Sequence, residues 1–290
     1  RILFWSIILC KNVSLVSPSS VVLGNNIIGR VKTFVLSKIL NSKRVQYVSG
    51  YGVNASNSFA NVGVSRSKII PHDFLYLDVL PIYDEKKITQ TGVLKVVLAG
   101  QLIEQKGVDD AINAINCLRL QGHEVHLSLV GKDINLHYTD IVISLQLEDR
   151  IKLVGLVPND KLEEYIREFD ALLVLSHHCY PEGFPLMLYH GLRARVPILA
   201  SDHPMFKNVL VHKETALISR ERDVAEIAEN ILLLRSEQGF CKKASSSAPQ
   251  TLEKLKMPLQ FAEVFGASYC GSQGDNFLSS FSLANYNYEQ

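Results

Sequence analysis

The sequence has no excess of charge of either sign. Across 290 residues, thirty Lys and Arg stand against twenty-nine Asp and Glu, so composition supplies no general field for nucleic acid and any anion site must be local. Cysteine is scarce as well. Cys10, Cys117, Cys179, Cys241 and Cys270 are scattered, odd in number and never spaced C-x-x-C. That pattern points away from a disulfide framework or a zinc site and makes a reducing cytoplasm the expected compartment. Long apolar runs are missing too. The opening "RILFWSIILC" is broken by Ser6 and falls well short of the roughly twenty residues of a membrane span. It has no initiating Met and no cleavage signature, so no signal peptide is expected. It reads as a strand or buried helix of a domain whose beginning is missing. No internal repeat and no basic amphipathic stretch stand out.

What is present is apolar patterning. At 47% apolar residues the chain is long enough for the cores of two ordinary α/β domains. Residues 1–85 are the less regular part. "VQYVSGYGVNAS" reads as a strand, a loop and a helix start, and "SKIIPHDFLYLD" as a short strand leading into a linker; one βα unit and a fragment make an incomplete amino-terminal α/β domain. His72 lies on the linker side, where a buried or surface role is expected rather than catalysis. The polar, turn-rich "PIYDEKKITQTG" marks the domain boundary.

From residue 93 the pattern is regular. "VLKVVLAG" and "EVHLSLVGKD" are β-branched apolar runs ending in Gly. Between them "GVDDAINAINCLRLQG" spaces Val108, Ile112, Ile115 and Leu118 as one helical face. "RIKLVGLVP", "DKLEEYIREFD", "ALLVLSHH", "FPLMLYHGLRA", "VPILASD" and "ETALIS" continue the alternation. Strands apolar throughout and alternating with helices predict a doubly wound parallel sheet, a Rossmann-like domain over 86–245. "ERDVAEIAENILLLRSEQ" closes it as an amphipathic helix. "ASSSAPQ" reads as a linker. Over 246–290 follow a crossing helix interrupted near Pro258 and a Ser-, Asn- and Gly-rich tail expected to be disordered.

Ligands of an open parallel sheet bind at the carboxyl ends of its strands, where strand order reverses. Three loops fit. In "AGQLIEQKGVDD", Lys106 at a helix start beside free backbone N–H groups makes either a phosphate site or one more solvated lysine. In "PEGFPL", Glu182 precedes Gly183 and Pro185. It is either an acid stabilised by the helix macrodipole or an acceptor for sugar hydroxyls. "VGLVPND" is either a wall for a flat base or a plain turn. The histidines His177, His178, His190 and His203 do not form a metal set, because adjacent histidines on a strand point apart and no familiar ligand spacing completes them. Cys179 has no base placed beside it.

Taken in order, "AGQLIEQKGVDDAI", "LVGLVP", "PEGFPLMLYHGLRARVPILASD" and "VAEIAENILLL" resemble the donor-binding half of glycosyltransferase family 4, the glycosyl transferases group 1, of GT-B architecture. The resemblance covers about residues 93–236. It implies two Rossmann-like domains, an NDP-sugar co-substrate held mainly by the second, and transfer with retention of anomeric configuration. It also implies no metal cofactor, since cationic side chains and a helix terminus stabilise the leaving diphosphate.

Carried onto this sequence, the family pattern gives Lys106 the diphosphate and Glu182 the donor sugar, as the two catalytic candidates. Gln101 stands where an Arg is expected, and His190 where the second Glu of the E-x7-E motif binds ribose. Gly183, Phe184, Pro185 and Leu186 offer the helix-start backbone to phosphate, and Val157 lies against the base. Both departures bear on binding. Neutral imidazole offers one acceptor and one donor where a carboxylate accepts twice, and each lost charge-assisted bond is worth roughly 1.5 to 3 kcal/mol.

Three readings follow. The first is a retaining transferase moving a hexose from an NDP-sugar to a glycan or lipid-linked acceptor, cytoplasmic or peripheral at the inner membrane face. The second is a truncated or inactive relative that binds without turnover. The third, a sugar-nucleotide epimerase, would act with no acceptor present.

Overall fold

The computed structural model describes residues 13–17, 19–24, 26–73, 83–87, 92–183 and 186–288. The opening decapeptide and half of the proposed boundary segment lie outside them. The chain divides into two compact units, one of Arg1–Val79, Pro181–Phe184 and Leu255–Gln290, the other of Leu80–Tyr180 and Pro185–Lys254.

The first unit is more regular than its sequence pattern predicts. Strands β1 (Val13–Ser17), β2 (Val45–Tyr51) and β3 (Ile69–His72) form a parallel sheet in that order. Helices α1 (Ile27–Leu40) and α2 (Gly52–Asn61) are its crossovers. Asn26 caps α1 by accepting from the Gly29 amide at 2.8 Å, which satisfies one of the orphan donors of the first turn. Leu40, Val45, Val48, Phe59, Val64 and Ile69 make the core beneath the sheet. Helix α1 is a basic amphipathic stretch, not expected from the sequence, with its large apolar residues at helical spacing but facing outward: Gly29 and Leu40 are its buried residues, and Ile27, Ile28, Val31, Phe34 and Val35 are exposed.

In the second unit β4 (Leu94–Ala99), α3 (Val108–Leu120), β5 (Val125–Val130), α4 (His137–Ser144), β6 (Ile151–Gly155), α5 (Leu162–Ile166), β7 (Ala171–Val174), α6 (Leu186–Arg193), β8 (Ile198–Ser201), β9 (Ala216–Ser219) and α7 (Val224–Ser236) alternate as the sequence predicts. All five strand pairings are parallel, in the order β6-β5-β4-β7-β8-β9. Because helices cover both faces, every residue of β7 and β8 is buried, which is why these strands read as unbroken apolar runs. Asp223 caps α7 by accepting from the Glu226 amide at 3.0 Å.

Two expectations for the carboxyl-terminal part are corrected. "ASSSAPQ" is not a linker; it lies inside α8 (Gln238–Glu253). Pro249 cannot donate to the carbonyl four residues earlier, and that carbonyl, on Ser245, instead accepts from Arg195 Nε at 3.0 Å. Small buried residues, Ala244, Ser245 and Ala248, then let the helix pack closely, so tertiary contact overrides weak propensity. The tail expected to be disordered also has structure. Beyond the expected break near Pro258 the helical segment resumes as α9 (Phe261–Ala267), and the tail itself forms α10 (Gly271–Ser280). Leu259, Val264 and Leu278 pack with Tyr47 and Ile70. The Leu283 amide donates to the Ile69 carbonyl at 2.9 Å, and the Asp73 amide to the Leu259 carbonyl at 2.9 Å. The buried apolar residues, Leu259, Val264, Leu278 and Leu283, are few, so a polar average composition conceals them.

Candidate functional site

The second sheet grows outward in both directions from β4 and β7, which pair as Val96↔Ala171 through Leu98↔Leu173. The chain crosses from β4 to β5 on one side of that seam and from β7 to β8 on the other, which makes it the position where open α/β sheets bind ligands. Among the described residues, the geometry of the second unit concentrates there.

The two loops are held together first by backbone. Gly107 has φ +72°, and a Cβ there would lie 2.4 Å from the Leu175 carbonyl oxygen, so only glycine allows the approach. The His177 amide donates to the Gln105 carbonyl at 2.9 Å. Below, the buried His177 ring meets Asp110 of the first turn of α3, Nε2 to Oδ2 at 2.6 Å. This pair ties the end of β7 to the helix that starts behind Lys106.

Side chains complete the arrangement around Tyr180. The Lys106 ammonium lies over its ring, 4.2 Å from the centroid, a cation–π contact. The Tyr180 hydroxyl donates to Gln101 Oε1 at 3.2 Å. Tyr180 is itself held from behind by His203, whose Nδ1 accepts from the Met205 amide at 3.1 Å and whose Nε2 reaches the Tyr180 carbonyl at 3.2 Å. With Nδ1 accepting, the proton of the neutral ring sits on Nε2 and donates to that carbonyl. Gln101 and Lys106, separate candidates in the sequence, thus share one aromatic partner. Because Oε1 is engaged, the amide NH2 of Gln101 is the end left to donate.

His190 is paired with a carboxylate of a neighbouring helix. Its Nδ1 is 3.0 Å from Glu163 Oε1 on α5, and Arg193 Nε lies 3.1 Å from the same oxygen. Val157 is half-buried in the loop after β6, and Leu186 is exposed at the start of α6. Phe184 and Pro185 lie outside the described residues. Glu182 and Gly183 belong to the first unit. There the Ser20 amide donates to the Glu182 carbonyl at 3.0 Å, Gly183 bridges Ser19, and the Glu182 side chain is buried.

At the neighbouring strand end, burial would raise the Asp133 pKa, but the amides of Tyr138 and Thr139 and the Thr139 hydroxyl, at 2.8 to 3.0 Å, hold it below the usual carboxylate range. The carboxylate caps α4. His178 bonds Asp202 Oδ1 at 2.9 Å and lies 3.3 Å from Glu221 Oε1. Among the described residues no three His, Cys, Asp or Glu side chains are grouped as a metal ion would require.

Comparison with known proteins decides the family. The model of the glycosyl transferases group 1 matches residues 82–251, more than half of the chain. The protein belongs to the glycosyl transferases group 1. This group 1 chain is 28% identical over 150 residues to the amylovoran biosynthesis glycosyltransferase AmsK of Erwinia amylovora, a match covering 50% of the chain and 36% of that protein. It is 24% identical over 167 residues to the glycogen synthase of Mycobacterium tuberculosis, covering 56% of the chain and 39% of that protein. It therefore spans little more than a third of the curated relatives it matches. Among solved structures, Anabaena Alr3699/HepE in complex with UDP-glucose superposes with a TM-score of 0.69 at 14% identity, covering 96% of this chain and 75% of that one. Staphylococcus aureus TarM in complex with UDP gives 0.67 at 15% identity, covering 84% and 48%. With two parallel sheets, these matches give the group 1 chain the GT-B fold.

Sequence reasoning missed Tyr180, His203 and the His177–Asp110 pair. Their signal was present in the double histidine and tyrosine that follow an apolar strand, but their partners lie in other loops.

Proposed function

We propose that the chain transfers a hexose from a nucleoside diphosphate sugar to a glycan or lipid-linked acceptor, with retention of configuration, as a glycosyltransferase of family 4. The observation that carries this reading is the Lys106–Tyr180–Gln101 group beside the strand-order switch, since a cation and an amide donor next to a helix start suit a diphosphate. HepE and TarM were solved with UDP, which favours a uridine nucleotide. AmsK is named for amylovoran biosynthesis and WcaL of Escherichia coli for colanic acid biosynthesis, which favours a polysaccharide acceptor.

In this proposal Lys106 neutralises the departing diphosphate, and Gln101 adds a neutral bond to a phosphate oxygen. Glu182 accepts from donor sugar hydroxyls, and the Gly183–Leu186 backbone holds phosphate at the start of α6. His190 takes the ribose, and Val157 the base. The leaving phosphate accepts the proton of the attacking hydroxyl on the face it departs from, which retains configuration without a metal. With a lipid-linked acceptor the chain works as a peripheral protein at the inner face of a membrane.

A second reading, donor binding without turnover, draws on His190. Glu163 occupies its Nδ1, so one ring nitrogen at most remains where two carboxylate acceptors are expected.

Titration calorimetry with UDP-, GDP- and ADP-sugars tests the donor site. Micromolar binding of one nucleotide, abolished in Lys106→Ala and Glu182→Ala, supports it; a folded chain that binds none rules it out. Radiolabelled transfer to glycan acceptors then separates turnover from binding alone. In Gln101→Arg with His190→Glu, a gain of donor affinity marks a weakened site, whereas lost activity marks one adapted to these residues.

A further inference from the structure

The balanced net charge hides a strong asymmetry. All twenty-nine Asp and Glu lie at or beyond Asp73, whereas the first seventy-two residues carry Arg1, Lys11, Arg30, Lys32, Lys38, Lys43, Arg44, Arg66 and Lys68 and no acid. Within that basic part, α1 places its large apolar side chains in solvent. Ile27 is 80% exposed, Ile28 65%, Val31 57%, Phe34 62% and Val35 48%. Positions 27, 31, 34 and 35 recur at helical spacing and, with Ile28, form one continuous stripe. Arg30 lies on one margin of the stripe and Lys32 on the other. Lys38, one turn beyond Phe34, holds its ammonium 5.6 Å from the centroid of that ring.

A monomer surface seldom leaves such a stripe uncovered, and one rimmed by cations marks an interaction site. The absence of acid from the helix and from the whole surrounding segment selects an anionic partner. Apolar residues in the centre with long cationic side chains at the edges match a bilayer interface, where the stems lie along acyl chains and the charges reach the headgroups. We infer that α1 is a membrane-docking surface that lies in the plane of an anionic leaflet, with Ile27, Val31 and Phe34 inserted and Arg30, Lys32 and Lys38 against the headgroups. The surface does not depend on the donor site, so it stands or falls apart from the transferase reading.

Sedimentation of the full chain with vesicles tests it, comparing phosphatidylcholine alone with equal parts of phosphatidylcholine and phosphatidylglycerol. The chain is expected to sediment with the mixed vesicles, to stay largely in solution with phosphatidylcholine, and to be released by salt. Each cation held near an anionic leaflet is worth roughly five-fold in partitioning, so Arg30→Ser/Lys32→Ser/Lys38→Ser loses roughly a hundred-fold. Val31→Glu/Phe34→Glu, which alters only exposed positions, should lose binding while keeping its helical circular dichroism. Absence of wild-type binding to the mixed vesicles overturns the inference, as does wild-type binding by either variant. A dimer in analytical ultracentrifugation that Phe34→Glu converts to monomer, with vesicle binding unchanged, overturns it too, by assigning the stripe to a second copy.

Discussion

Lys106 holds its ammonium 4.2 Å from the centroid of the Tyr180 ring, joining the loops after β4 and β7 across the seam at which strand order reverses. The contact fixes the cation over the Tyr180 ring, and the Tyr180 hydroxyl holds the Gln101 amide beside it. Tyr180 is therefore expected to position both groups. Tyr180→Phe removes the bond to Gln101 and should weaken nucleotide binding by a few-fold, about 1 kcal/mol. Tyr180→Ala also removes the cation–π contact and should weaken it by roughly ten-fold or more. Calorimetric titration with UDP separates the two variants; wild-type affinity in Tyr180→Ala would remove Tyr180 from the site.

Gly107→Ala places a methyl group 2.4 Å from a backbone carbonyl at φ +72°. Left-handed strain and collision with a backbone atom together should cost about 2 to 4 kcal/mol. Urea unfolding followed by tryptophan-independent far-UV signal reads it. A loss below 1 kcal/mol would mean that the loop after β7 yields freely, against the close fit described above.

Arg195→Ala leaves two carbonyls, Ser245 and Tyr83, without their guanidinium donors at 3.0 Å. The Ser245 carbonyl already lacks its helical donor because of Pro249. A loss of about 2 to 3 kcal/mol is expected. The double variant with Pro249→Ala, which restores an N–H four residues on, should recover part of it. If the losses simply add, Pro249 and Arg195 are not linked.

His72 is fully buried, with Nδ1 2.7 Å from Ser49 Oγ, and burial lowers its pKa to about 4. The folded state thus keeps the ring neutral where the unfolded chain, at the ordinary value of 6.5, takes up a proton. Stability from this group is complete above about pH 6.5 and is lost as pH falls toward 4, by at most about 3 kcal/mol. Thermal melts from pH 7.5 to 4.5 should show a decline that is shallower in His72→Gln. Parallel curves for the two proteins would place the acid sensitivity elsewhere.

Much of the second unit is legible because its physics is local. A strand buried on both faces must be apolar throughout, a covering helix must repeat its apolar face, and a chain that turns from β4 into α3 against another loop needs glycine at position 107. The first unit and the tail are less legible. In α1 the large apolar residues point to solvent, so periodicity marks the wrong face, and in 255–290 a few buried residues such as Leu259 and Leu278 are diluted among Ser, Asn and Gly.

The sequence by itself determined the alternation of strands and helices, the parallel sheet and the loop after β4 in which Gln101 and Lys106 fall, since these depend on neighbours a few residues apart. Only the tertiary structure decided that Tyr180 serves both Gln101 and Lys106, that His190 is paired with Glu163, and that Arg195 makes Pro249 acceptable inside a helix. Each of these is a contact between loops or helices distant along the chain, and no local spacing encodes which side chain will stand opposite.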